Sequence, residues 1–219
     1  MVNDCRMSLN NDIKRLGKEH DALMLEKEIR AVYDEQTITV YQAYRKDIAE
    51  PAVKNQKFVS PFKMDRMTWI KPSFLWMMYR AGWATKEGQE HILAIKIKRS
   101  GFEWALQNCC LSHFDSAVFA TQEEWRTKLQ NSPVRLQWDP EKDIHLQNLN
   151  YRSIQIGLTG IAVQNYVNDW VVSINDITPL CNQIHSLLLD KKIEEAKNLL
   201  PLENIYPLND ELKKIIGHS

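Results

Sequence analysis

The sequence has few cysteines, no long apolar run and no net charge, and each of these absences excludes a class of protein. Four cysteines in 219 residues are too few for a disulfide scaffold. With neither a signal peptide nor an apolar stretch long enough to cross a bilayer, we expect reduced thiols in a cytoplasmic protein that does not contact membranes. The 28 basic and 28 acidic residues balance, which argues against a protein that holds nucleic acid mainly by its overall charge.

The composition is that of a globular protein, with 44% apolar and 26% charged residues. Residues 1–26 are polar with only a weak helical pattern, and we expect a loosely ordered N-terminal arm there. No linker interrupts the remainder, so residues 27–219 are predicted to form one domain. The sequence gives no indication of the oligomeric state.

Strands and helices are mixed without regular βαβ alternation, which predicts an α+β fold with helices packed on a mixed or mostly antiparallel sheet. Alternating apolar residues predict strands over 29–33, 37–44, 67–70, 91–97, 134–138, 151–158 and 170–174, the first two joined as a hairpin. Start signals predict helices at Asp47, Pro72, Ser100, Thr121 and Thr178. A helix that follows Thr159-Gly160 and runs through Tyr166, a helix over 191–200 and a turn at 139–143 complete the expected architecture.

The segment from Phe62 to Trp83 combines three tryptophans and four methionines with basic side chains. Its pattern predicts a short strand, a mostly buried helix after Pro72 and a left-handed glycine at Gly82. The basic residues Lys63, Arg66 and Lys71 precede the helix, where the positive end of its dipole favours an anion. The alternative is that these long side chains cover core edges and keep their charges in water.

Arginine–phosphate pairing and stacking on an aromatic ring are the usual means of holding a nucleotide, and this segment has the residues for both. We expect a ligand site that also draws on polar residues of the strands over 29–33, 37–44 and 151–158. The candidate ligand-binding residues are Arg30, Gln42, Arg66, Trp69, Lys71, Tyr151, Arg152 and Gln155. No catalytic residue can be assigned, and no metal ligand is included in this set.

Two other clusters have both a chemical and a structural interpretation. Cys109, Cys110 and His113, with Asp115, could bind a metal or form a Cys–His pair on a helix, but no second ligand pair is evident. Cysteines on a helix are more often small core residues. The acidic run 139–143, followed by a histidine, could hold Mg²⁺ or transfer protons, although Asp-Pro-Glu-Lys-Asp is also favourable turn sequence.

Several long blocks resemble a known family. EIRAVYDEQTITVYQAY, FKMDRMTWIKPSFLWMMYRAGWA, VRLQWDPEKD and YRSIQIGL occur in the order found in the domain of unknown function 4291 family of bacteria and fungi. The resemblance covers about residues 26–208 and implies one domain, but the family carries no established activity.

A fainter similarity links VYQAY and the Ile-Ala and Ala-Val pairs that follow to the start of the ADP-ribosyltransferase fold, in which a split sheet holds NAD. Gln42 stands where that fold has histidine or arginine, and no catalytic glutamate can be placed. We therefore expect an enzyme acting on a nucleotide or another phosphate-bearing ligand, a transferase in form, with NAD as one conceivable cofactor. The alternatives are a non-catalytic RNA- or DNA-binding module and a structural or interaction protein.

Overall fold

The computed structural model describes residues 26–218, which form ten strands, eight α-helices and one π-helical turn (Tyr166–Trp170). The strands are β1 (Glu26–Lys27), β2 (Arg30–Ala31), β3 (Thr37–Tyr44), β4 (Thr68–Ile70), β5 (His91–Lys98), β6 (Cys109–Leu111), β7 (Val134–Lys142), β8 (Asn148–Leu158), β9 (Val171–Asp176) and β10 (Asn204–Ile205). The helices are α1 (Lys46–Asn55), α2 (Phe74–Ala81), α3 (Arg99–Gln107), α4 (Gln122–Asn131), α5 (Ile161–Asn165), α6 (Thr178–Leu189), α7 (Ile193–Asn198) and α8 (Asp210–Ile216).

The larger sheet is mixed and has β8 near its middle. Its order is β1-β8-β7-β6, and β4 pairs with the C-terminal end of β8. The β7–β8 and β4–β8 pairs are antiparallel, whereas β1–β8 and β6–β7 are parallel. Because β4 pairs Trp69 with Gly157, the tryptophan-rich segment joins this sheet directly.

A second, antiparallel sheet has the order β3-β5-β9, and β2 pairs with β10 in a small third sheet. An antiparallel bridge between Tyr41 and Lys71 connects β3 to the residue after β4, so the two larger sheets meet there. The expected α+β class, with helices packed on mixed and antiparallel sheets, is confirmed.

Two groups of buried side chains form the interior. The larger lies between the sheets and includes Ile38, Phe102, Ile156 and Tyr166. The smaller contains Tyr41, Phe74 and Met78, and it packs α2 against α6 and α7. Helix α2 is buried on most sides, as its sequence predicted, and it ends at Gly82 in the left-handed conformation (φ 57°).

Several local predictions were wrong in detail. The strand predicted over 29–33 is only Arg30–Ala31, which pairs with β10. The hairpin is present only near its turn, where Tyr33 bridges Ile38 and the Asp34 and Thr39 amides donate to the Thr37 and Val32 carbonyls at 3.0 and 2.8 Å. Helix α1 has no side-chain cap, and Asp47 lies in its first turn. Pro72 precedes α2, whose cap is Ser73, and α3 begins at Arg99 directly after β5.

The turn predicted at 139–143 is also wrong, since β7 continues through Lys142 and the chain turns between Asp143 and Gln147. By contrast, the cap at Thr121 is confirmed, because its hydroxyl accepts the Glu124 amide at 3.1 Å. The predicted arm lies outside the described residues except for Glu26, which belongs to β1. Within 26–218, every helix is too short or too polar to traverse a bilayer.

Candidate functional site

The main cavity opens where β3, β4 and the start of α1 meet, and it has a volume of about 560 Å³. The segment before β4 forms one wall, and the end of β3 forms another. The lining residues are Gln42, Ala43, Tyr44, Arg45, Ile48, Pro61, Phe62, Lys63, Arg66, Met67, Thr68, Trp69, Lys71, Met77, Gly88 and Gln89.

Positive charge dominates this lining. It contains Arg45, Lys63, Arg66 and Lys71, and none of the described lining residues is Asp or Glu. Arg45 pairs with exposed Asp47 at 2.8 Å. The exposed side chains of Lys63 and Arg66 have no ion-pair partner within residues 26–218. Two exposed cations and one buried lysine are therefore available to an anion in this cavity.

A hydrogen-bonded group of side chains forms the inner wall of the cavity. The Gln42 amide nitrogen donates to the Thr68 hydroxyl at 2.6 Å and to the Trp69 carbonyl at 3.2 Å. The Gln42 carbonyl accepts the Tyr166 hydroxyl at 2.7 Å, and the Tyr44 hydroxyl lies 3.1 Å from that of Thr68. Burial raises the pKa of the Tyr44 hydroxyl, so this wall is neutral at physiological pH.

The Trp69 ring lies on the backbone of β8 at Gly157. A Cβ atom at Gly157 would lie 3.0 Å from the indole ring and 2.8 Å from the Met67 sulfur. Glycine suits this position because a Cβ atom would force the Met67 sulfur and the indole ring to shift. Half-buried Trp69 is thereby fixed as a flat apolar surface beside the basic residues of the cavity.

Lys71 is the most unusual residue of the cavity. Its backbone is fixed by reciprocal hydrogen bonds to Tyr41 at 2.7 and 3.2 Å, and the residue is only 6% exposed. Burial and, to a smaller extent, the nearby Arg80 lower the pKa of its ammonium group to about 7, with Asp139 partly opposing the change. Near neutral pH the side chain is therefore divided between ammonium and amine.

Half of the predicted ligand-binding residues come together in this cavity, namely Gln42, Arg66, Trp69 and Lys71. Gln42 lines it, but its amide is already bound by Thr68 and Tyr166. The other half lie elsewhere, so the eight residues do not form one site.

Arg30 and Tyr151 form a separate cluster. The Arg30 guanidinium donates to Glu28 at 2.6 Å and lies 5.0 Å from the Tyr151 ring centre. Two carboxyl groups, Glu141 and Glu203, interact with this cluster. Burial, assisted by the nearby Glu141, raises the pKa of Glu203 to about 8, although the hydrogen bond from the Phe74 amide and the charge of Arg30 oppose the change.

Arg152 and Gln155 also lie outside the main cavity. Arg152 donates to the Trp138 carbonyl at 3.1 Å and lines a second cavity of about 360 Å³ with Lys27 and His113. Gln155 donates to Asp139 at 2.8 Å. Since Arg152 and Gly157 are an odd number of residues apart on β8, Arg152 and Trp69 lie on opposite faces of the sheet.

The cysteine–histidine cluster and the acidic run at 139–143 both have structural rather than chemical roles. Cys109 and Cys110 lie in buried strand β6 rather than on a helix, and burial raises the pKa of the Cys109 thiol to about 12. No group of three or more His, Cys, Asp or Glu side chains between residues 26 and 218 could hold a metal ion. Asp143 binds the backbone amides of His145 and Gln147 at 2.9 and 2.8 Å, which is turn chemistry.

The predicted site did not include Tyr44, Arg45, Lys63 or Thr68, which also line the cavity. Lys63 belongs to the basic segment that the sequence had already indicated. Tyr44 lies two residues after Gln42 on β3, so strand alternation places the two side chains on the same face. That alternation was the available signal for Tyr44, whereas Thr68 is recognised only by its contacts with β3.

Comparison with known proteins gives a family but no activity. No curated protein matches this sequence. The family described as domain of unknown function (DUF4291) matches residues 28–206, which include β2 to β10 and every residue lining the main cavity. The chain therefore belongs to the DUF4291 family.

Proposed function

We propose that the main cavity binds a phosphate-bearing ligand of the nucleotide type, and that the protein is an enzyme acting on it. The observation that carries this proposal is the charge of the cavity. Four basic side chains line it without a single carboxylate among its described residues, although acidic and basic residues are equally numerous in the whole chain. Arg45 is paired with Asp47, but Lys63 and Arg66 have no ion-pair partner within residues 26–218, and such uncompensated charge on one rim is costly unless an anion joins it.

The lining residues suit different parts of a nucleotide. The Arg66 guanidinium offers paired N–H donors to two phosphate oxygens, and Lys63 adds a second charge on the exposed rim. Trp69, held flat on Gly157, offers an aromatic surface on which a base can stack. A mononucleotide needs one site of each kind, and both occur in this cavity.

A dinucleotide such as NAD is one ligand of this class. If the protein acts like an ADP-ribosyltransferase, NAD is its substrate and the protein is a transferase. Gln42 then acts as part of the wall rather than as a ligand contact, since its amide nitrogen donates to Thr68 and Trp69.

An RNA-binding role would use the same residues in another way. Lys63, Met64, Arg66 and Met67 are exposed along the segment that borders the cavity, as a single strand would require. A small-molecule site predicts binding that depends on the cavity interior. An RNA-binding surface predicts affinity that rises with strand length and falls steeply with salt.

Thermal-shift measurements can test the proposal with inorganic phosphate, mononucleotides, NAD and NADP, with nucleosides as uncharged controls. We expect phosphate-bearing compounds to raise the melting temperature and nucleosides to have no effect. Arg66→Met should abolish the increase. Arg126→Met, which removes an exposed arginine from α4 outside the cavity, should preserve it.

Absence of stabilisation by every phosphate-bearing compound would refute the proposal. Stabilisation that persists unchanged in Arg66→Met would move the ligand to another site. Binding of single-stranded RNA at low salt, without stabilisation by any nucleotide, would favour the RNA-binding role instead.

A further inference from the structure

Lys71 is held in position more firmly than its neighbours in the basic segment. Its backbone amide and carbonyl both bond to Tyr41, and Pro72 and the helix cap Ser73 follow it directly. The exposed Lys63 and Arg66 lie in the loop before β4, whereas Lys71 is buried in the wall of the cavity. A reactive group must be positioned by rigid elements, and Lys71 meets that requirement.

The fold makes no evident use of the Lys71 amine. Its side chain has neither an ion pair nor a hydrogen bond with any residue from 26 to 218, and the charges that act on it are those of Arg80 and Asp139. Burying an unpaired ammonium group is expensive, and lysines in such settings are the ones that act as amines.

Lys71 is also the buried nucleophile of the cavity, whereas the other lining lysine, Lys63, is exposed on the rim. Among the described residues that line the cavity there is no Cys, Ser, His, Asp or Glu. The Thr68 hydroxyl already accepts a hydrogen bond from Gln42 and lies 3.1 Å from the Tyr44 hydroxyl. An amine needs no oxidant or second reactant to combine with a carbonyl compound. An aldehyde or ketone is therefore the electrophile that this lining can take on its own.

We propose that Lys71 is a catalytic nucleophile that forms an imine with the open-chain aldehyde of a phosphorylated sugar. This inference rests on the proposed function, because Arg66 and Lys63 hold the phosphate of the same substrate. The pentose is also the part of a nucleotide that lies between the base and the phosphate, so a bound sugar phosphate would place its sugar beside the same basic residues. The inference thus narrows the substrate class from nucleotide-type ligands to those with a free or releasable sugar aldehyde.

The step balances without a further reagent. The nitrogen lone pair of neutral Lys71 adds to the carbonyl carbon, the carbonyl π electrons move to the oxygen, and a proton passes from the nitrogen to that oxygen to give a neutral carbinolamine. The carbinolamine then loses its hydroxyl group and a proton from nitrogen as water, which leaves a C=N bond. Hydrolysis reverses the sequence and releases the amine.

Borohydride trapping tests this inference with pyridoxal 5′-phosphate, which carries both an aldehyde and a phosphate. Borohydride adds hydride to the imine carbon and fixes the adduct as a secondary amine, which peptide mass spectrometry can locate. At pH 8 we expect Lys71 to be labelled at least about tenfold faster than other lysines, because a far larger share of it is neutral. Ribose 5-phosphate should give the corresponding adduct more slowly.

Because the labelled lysine is located in the protein of natural sequence, the result does not depend on whether a variant folds. Lys71→Arg should lose the adduct, and Lys214→Arg, which changes an exposed lysine of α8, should keep it. Nucleotides that stabilise the protein should protect Lys71, and pyridoxal without its phosphate should label it more slowly.

The two possible failures are distinguishable. Labelling spread over surface lysines and unchanged in Lys71→Arg, with nucleotides still raising the melting temperature, would overturn this inference and leave the proposed function intact. Equal labelling of Lys71 by pyridoxal and its phosphate, without protection by any nucleotide, would overturn the phosphate site itself.

Discussion

Replacing Lys71 with methionine should stabilise the protein, and the gain should depend on pH. Methionine has a similar unbranched shape and carries no charge, so it fills the same space without a buried ammonium group. Lys71 is 6% exposed and has no described hydrogen-bond partner, so the substitution removes the cost of burial without breaking an ion pair.

The size of the effect follows from the pKa of Lys71. Its ordinary value of 10.5 falls to about 7 in the folded protein. Since a tenfold change in a protonation equilibrium corresponds to about 1.4 kcal/mol, the buried ammonium lowers the unfolding free energy by up to about 5 kcal/mol. That full cost applies below pH 7, where Lys71 is protonated in both states.

The sign of the pH dependence is determined by which state holds the proton. Between pH 7 and 10.5 the unfolded chain keeps the Lys71 proton and the folded protein has lost it, so the stability of the natural protein rises with pH. Lys71→Met lacks this contribution. Its advantage should therefore shrink from about 5 kcal/mol near pH 6.5 toward zero near pH 10.

Urea denaturation at several pH values between 6.5 and 10 measures this difference directly. Lys63→Met is the matched control, because it removes an exposed lysine from the same segment and should change stability by less than about 0.5 kcal/mol. A variant that is destabilised at pH 6.5, or an advantage that does not vary with pH, would refute the reasoning.

Three further predictions concern the rest of the molecule. Between pH 4.5 and 8 the unfolded chain has lost the Glu203 proton and the folded protein still keeps it, so Glu203 makes the unfolding free energy decrease as the pH rises. Glu203→Gln should remove this decrease, which urea denaturation at several pH values in that range measures. Gly101→Ala should cost about 1–3 kcal/mol, measured as a lower melting temperature, because its Cβ would lie 2.3 Å from the Trp170 ring. Gln42→Leu should cost about 1–3 kcal/mol in chemical denaturation by leaving the buried Tyr166 hydroxyl without its acceptor, and an unchanged midpoint would contradict that contribution.

Local sequence signals were sufficient for the tryptophan-rich segment. The strand at 68–70, the buried helix and the left-handed Gly82 all follow from residues within a few positions of one another. The cap at Thr121 was readable for the same reason. Ser100 carried the same signature, yet β5 runs directly into α3 and the serine lies within the first helical turn.

Long-range pairing decided the elements that the sequence did not reveal. Pro140 suggested a turn, but β7 continues past it because the register shifts between Pro140 and Lys142, a place where a strand tolerates proline. Cys109 is in a strand because it pairs with Val134 on β7. Neither pairing can be predicted from the residues that lie next to it in the sequence.

The candidate site was predictable where its residues lie close together in the chain. Arg66, Trp69 and Lys71 share one segment and line one cavity. Arg30 and Arg152 were grouped with them on chemical type alone. The structure separates them because Arg30 binds Glu28 and Arg152 lies on the face of β8 opposite to the one that holds Trp69.

Isothermal titration calorimetry tests the central claim most directly, using the nucleotide that gives the largest thermal shift. The natural protein should bind one equivalent, and Lys63→Met combined with Arg66→Met should bind at least about tenfold more weakly, because two charge-assisted contacts to phosphate are lost. Arg126→Met should bind like the natural protein. Equal affinity in all three proteins would contradict the assignment of this cavity as the phosphate site.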